Sequence, residues 1–407
     1  MKLSPEDQLI LSVIKLYPSA LEIKLIDDQI SQIRDWDYFI KTIINRGIAP
    51  LLYKKLPLLS SSFQLPEHVK IKLQQAYYKT LSRNTILYEH FRKIAEAFSL
   101  QHIPIIALKG VYVSEWLYQD IGLRQFSDID LLIKEENALA CLAILEKMGY
   151  TSSAIVSKSH LSNFILSNFE TDNEIVHYPP RILNGVSIEI HIKLFRSAEK
   201  YNLNIHELWE QSIPANINNI NVRALTTYDL LIHLILHLNK HFQGGKVQFT
   251  SFNDVTNLIE RFADTIDWND VAARCRRYNC EEIVFKIIVL IYKYIPINIP
   301  LNVIQKYEIL LKEDDEQLFC DVLRGNIHSS VVLSGHFGYL GKIQSFVDKV
   351  RYLGGVIFPS NAFMMQRYQI QRSSQVLIYY PYRYYLGIKE VLLYLKKLKI
   401  MKKKSKT

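Results

Sequence analysis

Asp128 and Asp130, in the run Ser127-Asp128-Ile129-Asp130-Leu131-Leu132-Ile133, are the residues best placed to do chemistry. The run alternates and then turns apolar, as a half-buried strand does, so both carboxylates project from one face and Ile129 from the other. Two carboxylates held that close repel each other unless a cation sits between them, and hard oxygen ligands suit Mg²⁺ or Mn²⁺. A third carboxylate is expected from Val186-Ser187-Ile188-Glu189-Ile190-His191, a strand candidate introduced by the turn dipeptide Asn184-Gly185. Ser187, Glu189 and His191 share one face of it, Ile188 and Ile190 the other. Asp128, Asp130 and Glu189 are therefore the expected catalytic, metal-binding set.

Phosphate chemistry has its own candidates. Gly110 stands between a short apolar run, Ile103 to Leu108, and a helical pattern through Val113, Trp116 and Leu117. A glycine there lets backbone approach a phosphate, and the positive end of the helix favours the anion. Lys109 adds a point charge and Arg124 a planar donor fork, while Ser127 adjoins the first carboxylate. Asp-x-Asp also occurs on surface turns, and Lys-Gly beside a helix is commonplace. The order carries the reading: Lys-Gly, helix, Arg-x-x-Ser-Asp-x-Asp on a strand, then Glu-x-His on another. That order describes a phosphoryl-transfer site.

The elements that must position these residues form a β-α-β-α block over about 101–200, in which Glu135 to Met148 reads as an amphipathic helix closed by Gly149. Residues 1–100 read as a helical lead-in, 201–345 as a helical domain, and 346–407 as a helical and aromatic region ending in a lysine-rich tail. Within 201–345, helices are expected at Tyr228 to Lys240, Val255 to Phe262, Trp268 to Tyr278 and Glu281 to Tyr294. The expected class is α+β: a small mixed sheet embedded in extensive helical regions.

Bulk properties narrow the setting. A 407-residue chain, 49% hydrophobic and 22% charged, can bury a large core. The cysteines at 141, 275, 280 and 320 are scattered, which fits a reducing compartment. The N-terminus carries acidic residues before any apolar run and does not read as a signal peptide, so a cytoplasmic location is expected. The apolar stretch Ile287 to Tyr292, bounded by Lys286 and Lys293, is far short of the roughly 20 residues a membrane span needs. Of the net charge of +9, Lys396, Lys397, Lys399, Lys402, Lys403, Lys404 and Lys406 supply seven, leaving the body nearly neutral. Charge alone thus points to a solvated tail rather than a basic cleft.

The segments Ala107-Leu108-Lys109-Gly110 and Arg124 to Ile133 resemble the signature of the uncharacterised nucleotidyltransferase family within the DNA polymerase β superfamily. Ile188-Glu189-Ile190-His191 is similar to the place where that family carries its third acidic residue followed by histidine. His233, His237 and His241 fall where its members show a histidine-rich helix; Asp254 and Ile266-Asp267-Trp268 are also similar. The resemblance spans about residues 80–280. It implies a polymerase β-like core transferring a nucleoside monophosphate from a nucleotide triphosphate, such as ATP, to an acceptor hydroxyl or phosphate, the acceptor being a small molecule, a protein or RNA. The wider superfamily's Gly-Ser or Gly-Gly is replaced by Lys109-Gly110-Val111, which removes a serine contact to phosphate.

Weaker signals leave alternatives open. His233, His237 and His241, four residues apart, line one helical face that either packs, lines the cleft with His191 and Asp254, or binds metal. Asp254 either serves the cleft or caps and solvates its own helix. The aromatic and lysine-rich segment Tyr384 to Ile400 suits core packing followed by a solvated tail, with membrane-surface or nucleic-acid contact as the alternative; the Tyr379 to Arg383 cluster suits helix packing or base stacking. Two other functions compete with a biosynthetic enzyme: a catalytically degenerate nucleotide-binding or regulatory module, and a toxin of a toxin–antitoxin pair using the same chemistry.

Overall fold

The computed structural model describes residues 3–60, 65–152, 176–195, 201–243, 248–325, 349–350, 364, 375–385 and 388. The chain divides into two compact units, the first comprising Met1–Tyr150, Val176–Phe242 and Lys246–Asn326. The lysine tail lies outside the described residues.

The first unit is α+β, as expected. Its strands are β1 (Ile106–Ala107), β2 (Asp128–Leu132), β4 (Arg181–Leu183), β5 (Val186–His191), β6 (Ile213–Ile217) and β7 (Ile220–Ala224); β3 (Thr151–Ser152) belongs to the second unit. Within the first unit the order is β4-β5-β2-β1-β7-β6. β2 runs parallel to β5, β1 antiparallel to β2 and parallel to β7, and each hairpin is antiparallel.

Turn chemistry fixes both hairpins. Asn184 and Gly185, at φ 50° and 75°, join β4 to β5, and Asn218 and Asn219, at φ 49° and 63°, join β6 to β7. Paired positive φ values give the turn twist that matches twisted strands. The β6–β7 hairpin carries the sheet into a stretch that reads as helical by sequence. Pro214 sits in β6, at the sheet edge, where a missing N–H is tolerated.

The helices after residue 225 follow their apolar spacing: Thr227–Gln243, Thr250–Arg261, Trp268–Arg277 and Glu281–Tyr294. Before the sheet, Glu67–Ser99 forms one 33-residue helix that buries Leu73, Leu87, Phe91, Ile94 and Phe98. Its polar face braces the site. Asn84 Nδ2 donates to the Arg124 carbonyl at 2.8 Å, Tyr88 Oη to the Val111 carbonyl at 2.6 Å, and Arg83 to the Gly185 carbonyl at 3.0 Å. One rigid rod thereby holds three segments that are distant in sequence.

Candidate active site

Parallel pairing of β2 with β5 sets Asp128 beside Ser187 and Asp130 beside Glu189. Ile129, Leu131, Ile188 and Ile190 are buried on the opposite face, so a one-residue slip of register would bury the carboxylates in hydrocarbon. His191, two residues beyond Glu189, points to the same side. Its Nε2 lies 2.8 Å from Asp130 Oδ1 and 3.5 Å from Glu189 Oε2. Single ligand atoms from Asp130, Glu189 and His191 all fall within 4.8 Å of one another.

Asp128 stands at the edge of that group. It is half-buried, with Ser127 Oγ donating to its Oδ1 at 3.2 Å, whereas Asp130 is only 4% exposed. Burial, then the charges of Asp130 and Glu189, push the Asp128 carboxyl up to about 6. Burial acts on Asp130 in the same sense, but Lys109 and the His191 hydrogen bond outweigh it and hold that carboxyl well below the usual range. Glu189 is lowered for the same kind of reason: His191 overrides its burial. Burial opposes protonation of His191, yet its bonds to Asp130 and Glu189 raise its pKa.

Lys109 opens the helix Lys109–Trp116 with its Nζ 3.6 Å from Asp130 Oδ2. Its φ of 41° is uncommon for a residue with a Cβ and places backbone strain at the mouth of the site. Leu108 N–H donates to the Asp130 carbonyl at 3.1 Å, which ties this turn to β2. Gly110 meets a packing constraint: a Cβ there would lie 2.9 Å from the Phe126 side chain.

Arg124 is buried, and Asp254 takes two of its donors, Nε at 2.8 Å and Nη2 at 2.6 Å. Its Nη1 has no partner among the described residues. Asp254 is 1% exposed and accepts from Tyr118 Oη at 2.9 Å, so it is a buried acceptor and not a solvated end of its helix. Lys109, Gly110, Arg124, Ser127, Asp128, Asp130 and Asp254 line a common pocket of about 220 Å³.

The histidine face divides in two. His237 and His241, their Nε2 atoms 3.2 Å apart, line the pocket, while His233 is buried with neither ring nitrogen partnered among the described residues. Burial, helped by Lys109, drives His233 down to about 3 and lowers His237 as well, so both rings are neutral at physiological pH.

Sequence reasoning missed His177, whose Nδ1 lies 3.9 Å from Glu189 Oε2 and whose ring sits 5.1 Å from that of His191. It also missed Tyr118 and the bracing side chains Arg83, Asn84 and Tyr88. Only three-dimensional pairing reveals them.

The nucleotidyltransferase family model matches residues 32–296, well over half of the chain. The chain belongs to the uncharacterised nucleotidyltransferase family. The family match reaches further into the N-terminal helices than the resemblance over 80–280, in keeping with the bracing role of Glu67–Ser99. Neither the curated proteins nor the solved structures hold a match to the chain. Among the described residues, no helix is long and apolar enough to cross a membrane.

Proposed function

We propose that this family member transfers a nucleoside monophosphate from a nucleotide triphosphate to an acceptor hydroxyl or phosphate, with Asp128, Asp130 and Glu189 as its catalytic carboxylates. The observation that carries the reading is the register that sets Asp130 beside Glu189, with His191 hydrogen-bonded to Asp130 and within 3.5 Å of Glu189. Two carboxylates and an imidazole form a donor set suited to a divalent cation. Oxygen ligands favour Mg²⁺, and the imidazole shifts the balance toward Mn²⁺. Such an ion, once bound, would neutralise phosphate charge and acidify an acceptor hydroxyl.

The chain's own groups supply the positioning. Lys109 Nζ is withdrawn onto Asp130 and would turn to phosphate oxygens once a triphosphate enters the pocket. The first N–H groups of the helix Lys109–Trp116 face outward from its positive end and would hold the same anion. Arg124 Nη1 offers a further buried donor, kept rigid by the clamp of Asp254 on the other two. Asp128, the more exposed of the two aspartates, lines the same pocket. His237, as a neutral ring, and His241 line the same pocket as the two aspartates.

Calorimetry with each ribonucleoside triphosphate, with and without Mg²⁺ or Mn²⁺, tests the reading against an Asp128→Asn, Asp130→Asn double variant. Metal-dependent binding that the double variant loses is expected, and the preferred triphosphate then labels the acceptor. Absence of binding to every triphosphate by folded protein would overturn the reading. Binding without any transfer in the presence of cell extract would favour the regulatory module.

A further inference from the structure

The second unit contains a helix over 376–385 that presents apolar side chains outward as well as inward. Val376 is fully buried against Met364, with Tyr379 and Tyr380 packed on the same side. Leu377 and Ile378 are 74% and 73% exposed, Tyr382 and Tyr385 52% and 61%. At about 100° per residue, Leu377, Ile378, Pro381, Tyr382 and Tyr385 occupy one arc of about 140°, and Val376, Tyr379, Tyr380, Arg383 and Tyr384 occupy the rest. The outward arc therefore contains no charged residue, and the helix's one cation, Arg383, lies on the inward side. Ile388, just beyond, is also exposed, at 61%.

We propose that this face of the 376–385 helix docks the protein on an anionic lipid bilayer. Charge complementarity names the occupant. The sequence that follows, 389–407, carries eight lysines and a single acid, Glu390. An apolar arc with tyrosines, followed in the sequence by a lysine cluster from Lys396 onward, combines the two terms that hold a helix at a charged interface: insertion of apolar side chains and attraction to anionic headgroups. Tyrosine is at home at that depth, ring in the acyl boundary and hydroxyl in water. A nucleic-acid partner would call for cations interleaved on the contacting face itself, and the outward arc has none. The inference does not depend on the reaction proposed above, since the helix and the active site belong to different units.

Flotation of the full chain with vesicles tests it, comparing phosphatidylcholine alone with phosphatidylcholine mixed with phosphatidylglycerol. Wild type should partition to the anionic vesicles roughly tenfold or more over the neutral ones and should release in high salt. Two face variants, Ile378→Asp with Tyr385→Asp and the milder Ile378→Ser with Tyr385→Ser, alter only exposed positions; the serine pair separates lost insertion from added repulsion. Both should lose most of the binding while keeping circular dichroism and melting unchanged. A tail variant, Lys402→Gln, Lys403→Gln, Lys404→Gln and Lys406→Gln, should also bind at least roughly tenfold more weakly, and up to roughly several hundredfold if each lysine acts fully. The proposal is overturned if wild type fails to float with anionic vesicles. It is equally overturned if the serine pair floats as well as wild type, which would leave the lysines as the sole attractor. A wild-type dimer that the face variants convert to monomer, or oligonucleotide binding that they abolish, each without vesicle binding, would assign the face to a different partner and reject the bilayer.

Discussion

Replacing Asp128 by asparagine should make the metal-free protein more stable. In the folded chain burial, Asp130 and Glu189 together raise the Asp128 carboxyl from 3.8 to about 6. A carboxyl whose folded pKa lies above its unfolded value destabilises the fold when ionised. The penalty is absent below pH 3.8, grows between 3.8 and about 6, and is complete above that. A shift of about two units corresponds to about 3 kcal/mol; halving it for the solvent that reaches this half-buried group leaves about 1.5 kcal/mol. Unfolding entropy of about 2 cal/mol/K per residue, over the roughly 300 residues of the first unit, converts 1.5–3 kcal/mol into a midpoint rise of about 2–5 °C. Thermal melts in EDTA at pH 8 and pH 4 measure this: Asp128→Asn should melt higher at pH 8 and level with wild type at pH 4. Adding Mn²⁺ should reverse the ranking, because only the wild type keeps the full carboxylate set. A variant no more stable than wild type at pH 8, or a gain that persists unchanged to pH 4, would refute the assignment of an Asp128 carboxyl raised by burial and by its acidic neighbours.

Other perturbations separate the remaining roles. Asp254→Asn strands the buried Arg124 cation and should cost about 3–5 kcal/mol by denaturant unfolding, whereas removing both charges together should cost well under the sum of the single changes. Gly110→Ala drives a methyl into the Cβ and ring of Phe126 and should cost about 1–3 kcal/mol by denaturant unfolding. His191→Ala leaves Asp130 without its 2.8 Å partner and should weaken Mn²⁺ binding, measured by calorimetry, by roughly 10–100-fold.

Much of the site is legible in the amino-acid sequence because period-2 geometry is local. Asp128 and Asp130 share a face whatever lies beside them, Glu189 and His191 likewise, and Asn184-Gly185 announces the turn that starts β5. The long amphipathic helices after residue 225 are legible for the same reason, since their spacing repeats over several turns. The β6–β7 hairpin is not. Its strands are five residues each, one holds a proline, and their burial alternates only weakly, so the Asn218-Asn219 turn is the sole usable cue.

The order of residues along the chain sets the groups able to act: the acids, their common faces, the glycine at a helix start and the histidines four apart. Which of these meet is a matter of packing. Parallel pairing of β2 with β5 makes Asp130 and Glu189 neighbours across 59 residues and gives His191 to Asp130 as a hydrogen-bond partner. Packing of the helix Thr250–Arg261 delivers Asp254 to Arg124, turning an expected phosphate fork into a braced one whose Nη1 alone is without a partner among the described residues. Phe126 fixes Gly110 by contact. Such partnerships rest on burial and charge between segments far apart in the chain, and they exist only once the sheet has closed around its core.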